Sequence, residues 1–207
     1  MEEAQANMWL RMLRANEGAF YPLDLLVIGA LNRSAAQCVG FRLLVQARNF
    51  ICAASILRLQ LDTALRFYAA FLVAEPHMFA STVLKGTPVR KLKDSSGTLM
   101  RDAHLVSCLS RQYPWVTKVY ETTSGYIHLS EQHIFQAIES VEERERLVEI
   151  KMSATDKELP GQTYVEAVEA FCAATQVFHH YVEGWIITKD NPETVARLRK
   201  VKGHTDH

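Results

Sequence analysis

Residues 23–74 carry a helical spacing of apolar side chains with little interruption. As one helix this stretch would run about 78 Å at 1.5 Å per residue, longer than a domain of this size can bury. It must fold back on itself, and Arg48-Asn49, midway along, offers the turn. The expected centre of the fold is therefore an antiparallel helical hairpin. Its arms run from Leu23 to about Ala47 and from Phe50 to Ala74, with Glu75-Pro76 ending the second. That second arm is apolar on most sides, the pattern of a central helix.

The flanking segments are shorter. Residues 2–17 place Met8, Met12 and Ala15 at helical spacing, Gly18 stops them and Pro22 restarts the chain. Helical patterns recur from Arg101 to Arg111 and, opened by Pro114, from Val116 to about His128. Near 134–153 the period changes: Val148, Ile150 and Met152 alternate with Glu149 and Lys151, which predicts a small β-hairpin turning through Val141–Arg146. Pro160-Gly161 punctuates the chain, Thr163 opens a last helix to about Thr188, and residues 189–207 read as a polar, frayed tail. The expected fold class is mainly α: one domain over 1–188, a bundle of five to seven helices around the long hairpin.

The chain has 207 residues with 23 basic and 23 acidic side chains, so no net charge draws it to nucleic acid or to a membrane surface. Glu2 and Glu3 stand where a signal peptide carries basic residues. The longest apolar runs, Leu25–Leu31 and Phe67–Ala74, are far too short to span a bilayer. Cys38, Cys52, Cys108 and Cys172 are widely spaced among apolar neighbours, which predicts buried, reduced thiols in a cytoplasmic protein without a membrane partner.

Two constellations carry chemistry. Ser55, Arg58, Asp62 and Arg66 form one stripe along the central helix, read either as a solvent face with pairs at i, i+4 or as a site. Tyr120, Ser124 and His128 recur at i, i+4, i+8, so on a continuous helix a phenol, a hydroxyl and an imidazole share a face. Such a row binds an anion, relays a proton or forms a polar seam between helices. The segment 85–101 adds five basic residues against Asp94 in a Gly-, Pro- and Ser-containing connector, read as a mobile loop or short helix that is solvated rather than bound to phosphate.

Arg33, Asn49 and Ala54-Ser-Ile-Leu-Arg58-Leu-Gln-Leu-Asp62, followed by Ser124-Gly-Tyr-Ile-His128-Leu-Ser130, resemble a large uncharacterised bacterial family of helical proteins. In that family an Arg and an acidic residue four positions later sit on a long core helix, and a Ser-x-x-x-His segment follows. Here Asp62 stands where Glu is commoner. The resemblance covers roughly residues 23–130 and is similar in outline to HEPN domains, many of them ribonucleases or accessory factors in toxin–antitoxin and phage defence. It implies a pocket of Arg58, Asp62 and His128, and a homodimer. HEPN nucleases, however, place an Arg and a His, with four to six residues between, on a late helix. Such a spacing, Arg199 to His204, lies in the polar tail with Gly203 inside it.

Metal binding is not expected, because His128 and His133 are five apart and diverge by about 140° on a helix. No Gly-rich phosphate loop, nucleophile elbow or deaminase signature is present, and no cofactor is implied. Three readings follow, in this order. The first is a binding or regulatory factor, defence-associated by resemblance, whose Arg58, Asp62, Tyr120, Ser124 and His128 hold a small anion, a nucleotide or an RNA end. The second is a purely structural polar network. The third is a metal-independent ribonuclease with His128 as general acid/base.

Overall fold

Pro22 supplies a pre-set φ for a first helical turn, and the Asp24 carboxylate returns to accept the Tyr21 amide at 2.8 Å, closing the N-terminus of the long helix that follows. In the computed structural model, which describes residues 2–128, 130, 133–134, 137–142, 147–150, 153–156 and 159–193, this helix is the second of seven α-helices among the described residues. They are α1 (Glu2–Arg14), α2 (Pro22–Gln46), α3 (Phe50–Tyr68), α4 (Pro76–Leu84), α5 (Asp102–Ser110), α6 (Trp115–Ser124) and α7 (Gly161–Asp190). The fold is a mainly α bundle.

The hairpin bends at Arg48-Asn49, as its sequence requires. Arg48 takes the left-handed conformation (φ 54°). Its amide bonds the Val45 carbonyl at 3.0 Å, and the Asn49 amide bonds Leu44 at 2.9 Å, satisfying the last carbonyls of α2. Asn49 Oδ1 then accepts the Cys52 amide at 3.1 Å, capping α3.

The second arm is shorter than the spacing predicts. α3 ends at Tyr68, tightens through a 3₁₀ turn (Ala69–Phe71), and Pro76 opens α4, a helix the apolar pattern had hidden. Proline suits the first turn of a helix, because it lacks an amide that a first turn does not need. α6 is shorter too. Gly125 is its C-cap, and amides of Tyr126 and Ile127 take i→i+3 bonds to Thr123 and Ser124. His128 therefore lies beyond the helix, and the expected row of Tyr120, Ser124 and His128 on one face stops at Ser124.

α3 is central, packed against α2, α5, α6 and α7. Phe67 meets Phe178 edge-on at 5.6 Å, and Phe41 stacks on Phe171 at 4.1 Å. A polar seam crosses this core: Gln60 Nε2 donates to Ser34 at 2.9 Å and Thr175 at 3.1 Å, and Gln5 Nε2 to Ser34 at 2.7 Å. The strand alternation is realised as β1 (Ile138–Glu142) antiparallel to β2 (Leu147–Ile150), with Val141 opposite Val148. Residues 143–146 of its turn lie outside the described residues, as does the Arg199–His204 spacing.

The last helix runs past the expected boundary. Lys189, read as the start of the tail, has a fully buried side chain bonded to Asp24 at 3.0 Å and to the Met12 carbonyl at 2.7 Å. Cysteine burial also departs from the sequence reading: Cys38 is buried, Cys108 and Cys172 are half-buried, and Cys52 is exposed at the first turn of α3. No helix among the described residues is long and apolar enough to cross a membrane.

Candidate functional site

The polar stripe of α3 does not face open solvent. Arg58 is 6% exposed, while Ser55, Asp62 and Arg66 are half-buried. Burial of a guanidinium demands partners, and Arg58 finds them on α5 and α6 rather than at Asp62. Its Nη2 lies 3.4 Å from Asp102 Oδ2, and its Cζ sits 4.0 Å over the Tyr120 ring. The Tyr120 hydroxyl donates to the same Asp102 oxygen at 3.3 Å.

Arg66 completes the figure. Its Nη2 pairs with Asp102 Oδ1, and its Nε donates to Asp62 Oδ1 at 3.1 Å. The other Asp62 oxygen lies 3.5 Å from Arg33 on α2. Arg33–Asp62–Arg66–Asp102–Arg58 is thus a continuous alternation of charge joining α2, α3 and α5, with Tyr120 of α6 at its end. Three guanidiniums share two carboxylates. Arg58 Nε and Arg66 Nη1 are buried and have no acceptor among the described residues.

The structure brings Arg58, Asp62 and Tyr120 into one cluster and leaves Ser124 and His128 out of it. Ser124 turns its hydroxyl back to the Tyr120 carbonyl at 2.6 Å, within its own helix. His128 is exposed past the end of α6, and among the described residues Arg58 bonds and stacks with Asp102 and Tyr120 instead. Asp102 is the organising residue that the sequence reading missed. It lies 44 positions from Arg58, so no local spacing reveals it. Its one signal is an acidic residue at the first position of a helix, where the macrodipole favours it.

Two clefts flank this chain of charges. One, of about 610 Å³, is lined by Arg90, Lys91, Leu99, Arg101, Asp102 and Ala103. The other, of about 350 Å³, lies where α2, α3 and α4 meet and has Arg33, Asp62 and Arg66 in its wall. The basic connector that shapes the first cleft holds a short 3₁₀ helix (Val89–Lys91) followed by a hydrogen-bonded turn at Asp94. Asp94 Oδ1 accepts from the amides of Ser96 and Thr98, each at 2.9 Å, and from the Ser96 hydroxyl at 2.7 Å. Asp94 Oδ2 meets His104 Nε2 at 2.7 Å, and Cys108 Sγ stands 3.6 Å from the same nitrogen. Hydrogen bonds from Ser96, Thr98 and His104 hold the Asp94 carboxyl well below the usual carboxylate range.

Among the described residues no group of three or more His, Cys, Asp or Glu is placed to hold a metal ion. Comparison with family models, curated proteins and solved structures finds no match to this chain.

Proposed function

We propose that the protein is a binding or regulatory factor that recognises a small anion, such as the phosphate of a nucleotide or of an RNA end, at the Arg58–Arg66–Asp102 cluster. The observation that carries this reading is the imbalance of the cluster. Arg33, Arg58 and Arg66 share only Asp62 and Asp102, and two buried guanidinium N–H groups have no acceptor among the described residues. An oxyanion against Arg66, which lines one of the clefts, supplies the missing charge, and a planar fork of donors suits phosphate or carboxylate. Arg90, Lys91 and Arg101 beside Asp102 draw anions to the same place. Tyr120 fixes the plane of Arg58 from above. The cytoplasmic setting is supported by four unpaired cysteines, and the homodimer and the defence association by the resemblance alone.

The experiment is a thermal-shift comparison of wild type, Arg66→Ala and His128→Ala with inorganic phosphate, AMP and a short 5′-phosphorylated RNA. The reading expects at least one of these to raise the wild-type and His128→Ala midpoints and to leave Arg66→Ala unmoved. Equal shifts in all three proteins, or none in any, count against it.

A second reading rests on the 6% exposure of Arg58: the network is scaffolding that holds α3, α5 and α6 in register. It expects Arg58→Ala to lower the midpoint steeply with no ligand effect in wild type. The ribonuclease alternative needs an imidazole beside Arg58, and His128 stands exposed beyond α6.

A further inference from the structure

We propose that the ligand of this site carries a compact apolar body behind its anionic group, and that this body lies in the cleft between α2, α3 and α4. The inference rests on the anion reading above, places the anionic head where Arg66 of that cluster meets Asp62 and Arg33, and names the class of molecule. The cleft has about 350 Å³, and its wall is formed mainly by Leu26, Ala30, Phe67, Val83 and Val89. Charge is confined to one region, where Arg33, Asp62 and Arg66 stand together. A small, mostly apolar cleft with a few convergent polar groups is the makeup of a small-molecule site. Three guanidiniums against two carboxylates leave a single positive charge on the cluster, which matches one anionic head. Arg33 is 47% exposed at the side chain and its contact to Asp62 is a long 3.5 Å, so donors of its fork remain turned outward.

Gly29 marks the place for the body. It lies within α2, one turn before Arg33, where any residue but proline would favour the helix more. It belongs to the cleft wall and is exposed, and a Cβ built on it would meet nothing within 4 Å. The missing side chain opens the cleft at no packing loss elsewhere. Leu25 and Leu84, each nearly half exposed, extend the apolar surface at its edge. An inorganic anion would leave this surface wet, whereas an aryl or branched-alkyl phosphate or carboxylate would cover it.

Gly29 also supplies the test, since the space at its Cβ position is open and a larger side chain there narrows the cleft. Calorimetric titrations of wild type and Gly29→Leu compare phenyl phosphate with inorganic phosphate. For wild type, phenyl phosphate is expected to bind at least about tenfold more tightly. In Gly29→Leu that advantage should vanish, inorganic phosphate should bind as before, and the melting midpoint should not fall. Equal affinities of the two probes for wild type, or an advantage that survives in Gly29→Leu, overturn the apolar-body proposal while leaving the anion site standing. If wild type binds neither probe, the anion reading fails and this proposal fails with it.

Discussion

At the scale of single residues the site turns on Asp102. It receives Arg58, Arg66 and Tyr120, and removing it strands a guanidinium that is 93% buried at the side chain. Asp102→Ala is expected to cost about 1–3 kcal/mol, read from the denaturant midpoint, since a buried donor then lacks its acceptor. A variant as stable as wild type would show that Arg58 has another partner. Arg58, Asp62 and Tyr120 were legible in the sequence because they repeat at helical intervals. Their meeting point was not, because it is set by how α5 packs on α3. The Asp94 turn gives a pH prediction. Its carboxyl is depressed in the folded protein below the ordinary 3.8. Its stabilisation is therefore present above that value and lost as pH falls towards the lower folded-state value. Asp94→Asn should flatten the decline of stability below pH 4, and an unchanged acid limb would contradict the assignment. His179 works higher on the scale. Burial lowers its imidazole from 6.5, so the neutral form stabilises the fold above that pH and the benefit is lost on acidification. Stability measured from pH 7 to 5 should fall less in His179→Gln than in wild type.

At the scale of elements, the turn between α2 and α3 sets the geometry of the whole hairpin. Asn49 is expected to contribute about 1 kcal/mol through its bond to the Cys52 amide, so Asn49→Ala should lower the unfolding free energy by that amount. An effect near zero would place the specification of the bend in Arg48 and the carbonyl bonds of Leu44 and Val45. The bend was readable because a polar dipeptide interrupts an apolar run too long to be one helix. The ends of α3 and α6 were not. Apolar periodicity continues smoothly across Tyr68, and only the Pro76 constraint separates α4 from what precedes it. In α6 the regular Tyr120–Ser124–His128 spacing suggests a helix that Gly125 ends. The β-hairpin announced itself by its period of two, since strand alternation does not fit a helix.

Across the whole molecule, the bundle is tied by a second buried polar cluster. Lys189 of α7 reaches Asp24 of α2 and the Met12 carbonyl of α1, and Trp185 Nε1 donates to the other Asp24 oxygen at 2.8 Å. Removing one partner leaves an uncompensated charge in the core, so Lys189→Met is expected to cost about 3–5 kcal/mol in chemical denaturation. A loss under about 1 kcal/mol would show that the pair only breaks even with an apolar side chain. Nothing in the local sequence reveals this cluster, because its two ends are 165 positions apart and Lys189 opens a stretch of tail-like composition. The bundle class, by contrast, follows directly from the periodicities of residues 2–17, 23–74 and 163–188.

The central claim is that the arginines of the Asp102 cluster serve a ligand more than they serve the fold. It is tested most directly by titrating wild type and Arg66→Met with inorganic phosphate in a calorimeter while recording both melting midpoints. Arg66 is partly exposed, and Asp102 keeps Arg58 when it is gone. Affinity is expected to fall more than about tenfold while the midpoint moves by no more than about 3 °C. Phosphate binding that is absent in wild type or untouched by the substitution, with a midpoint lowered by many degrees, would contradict it.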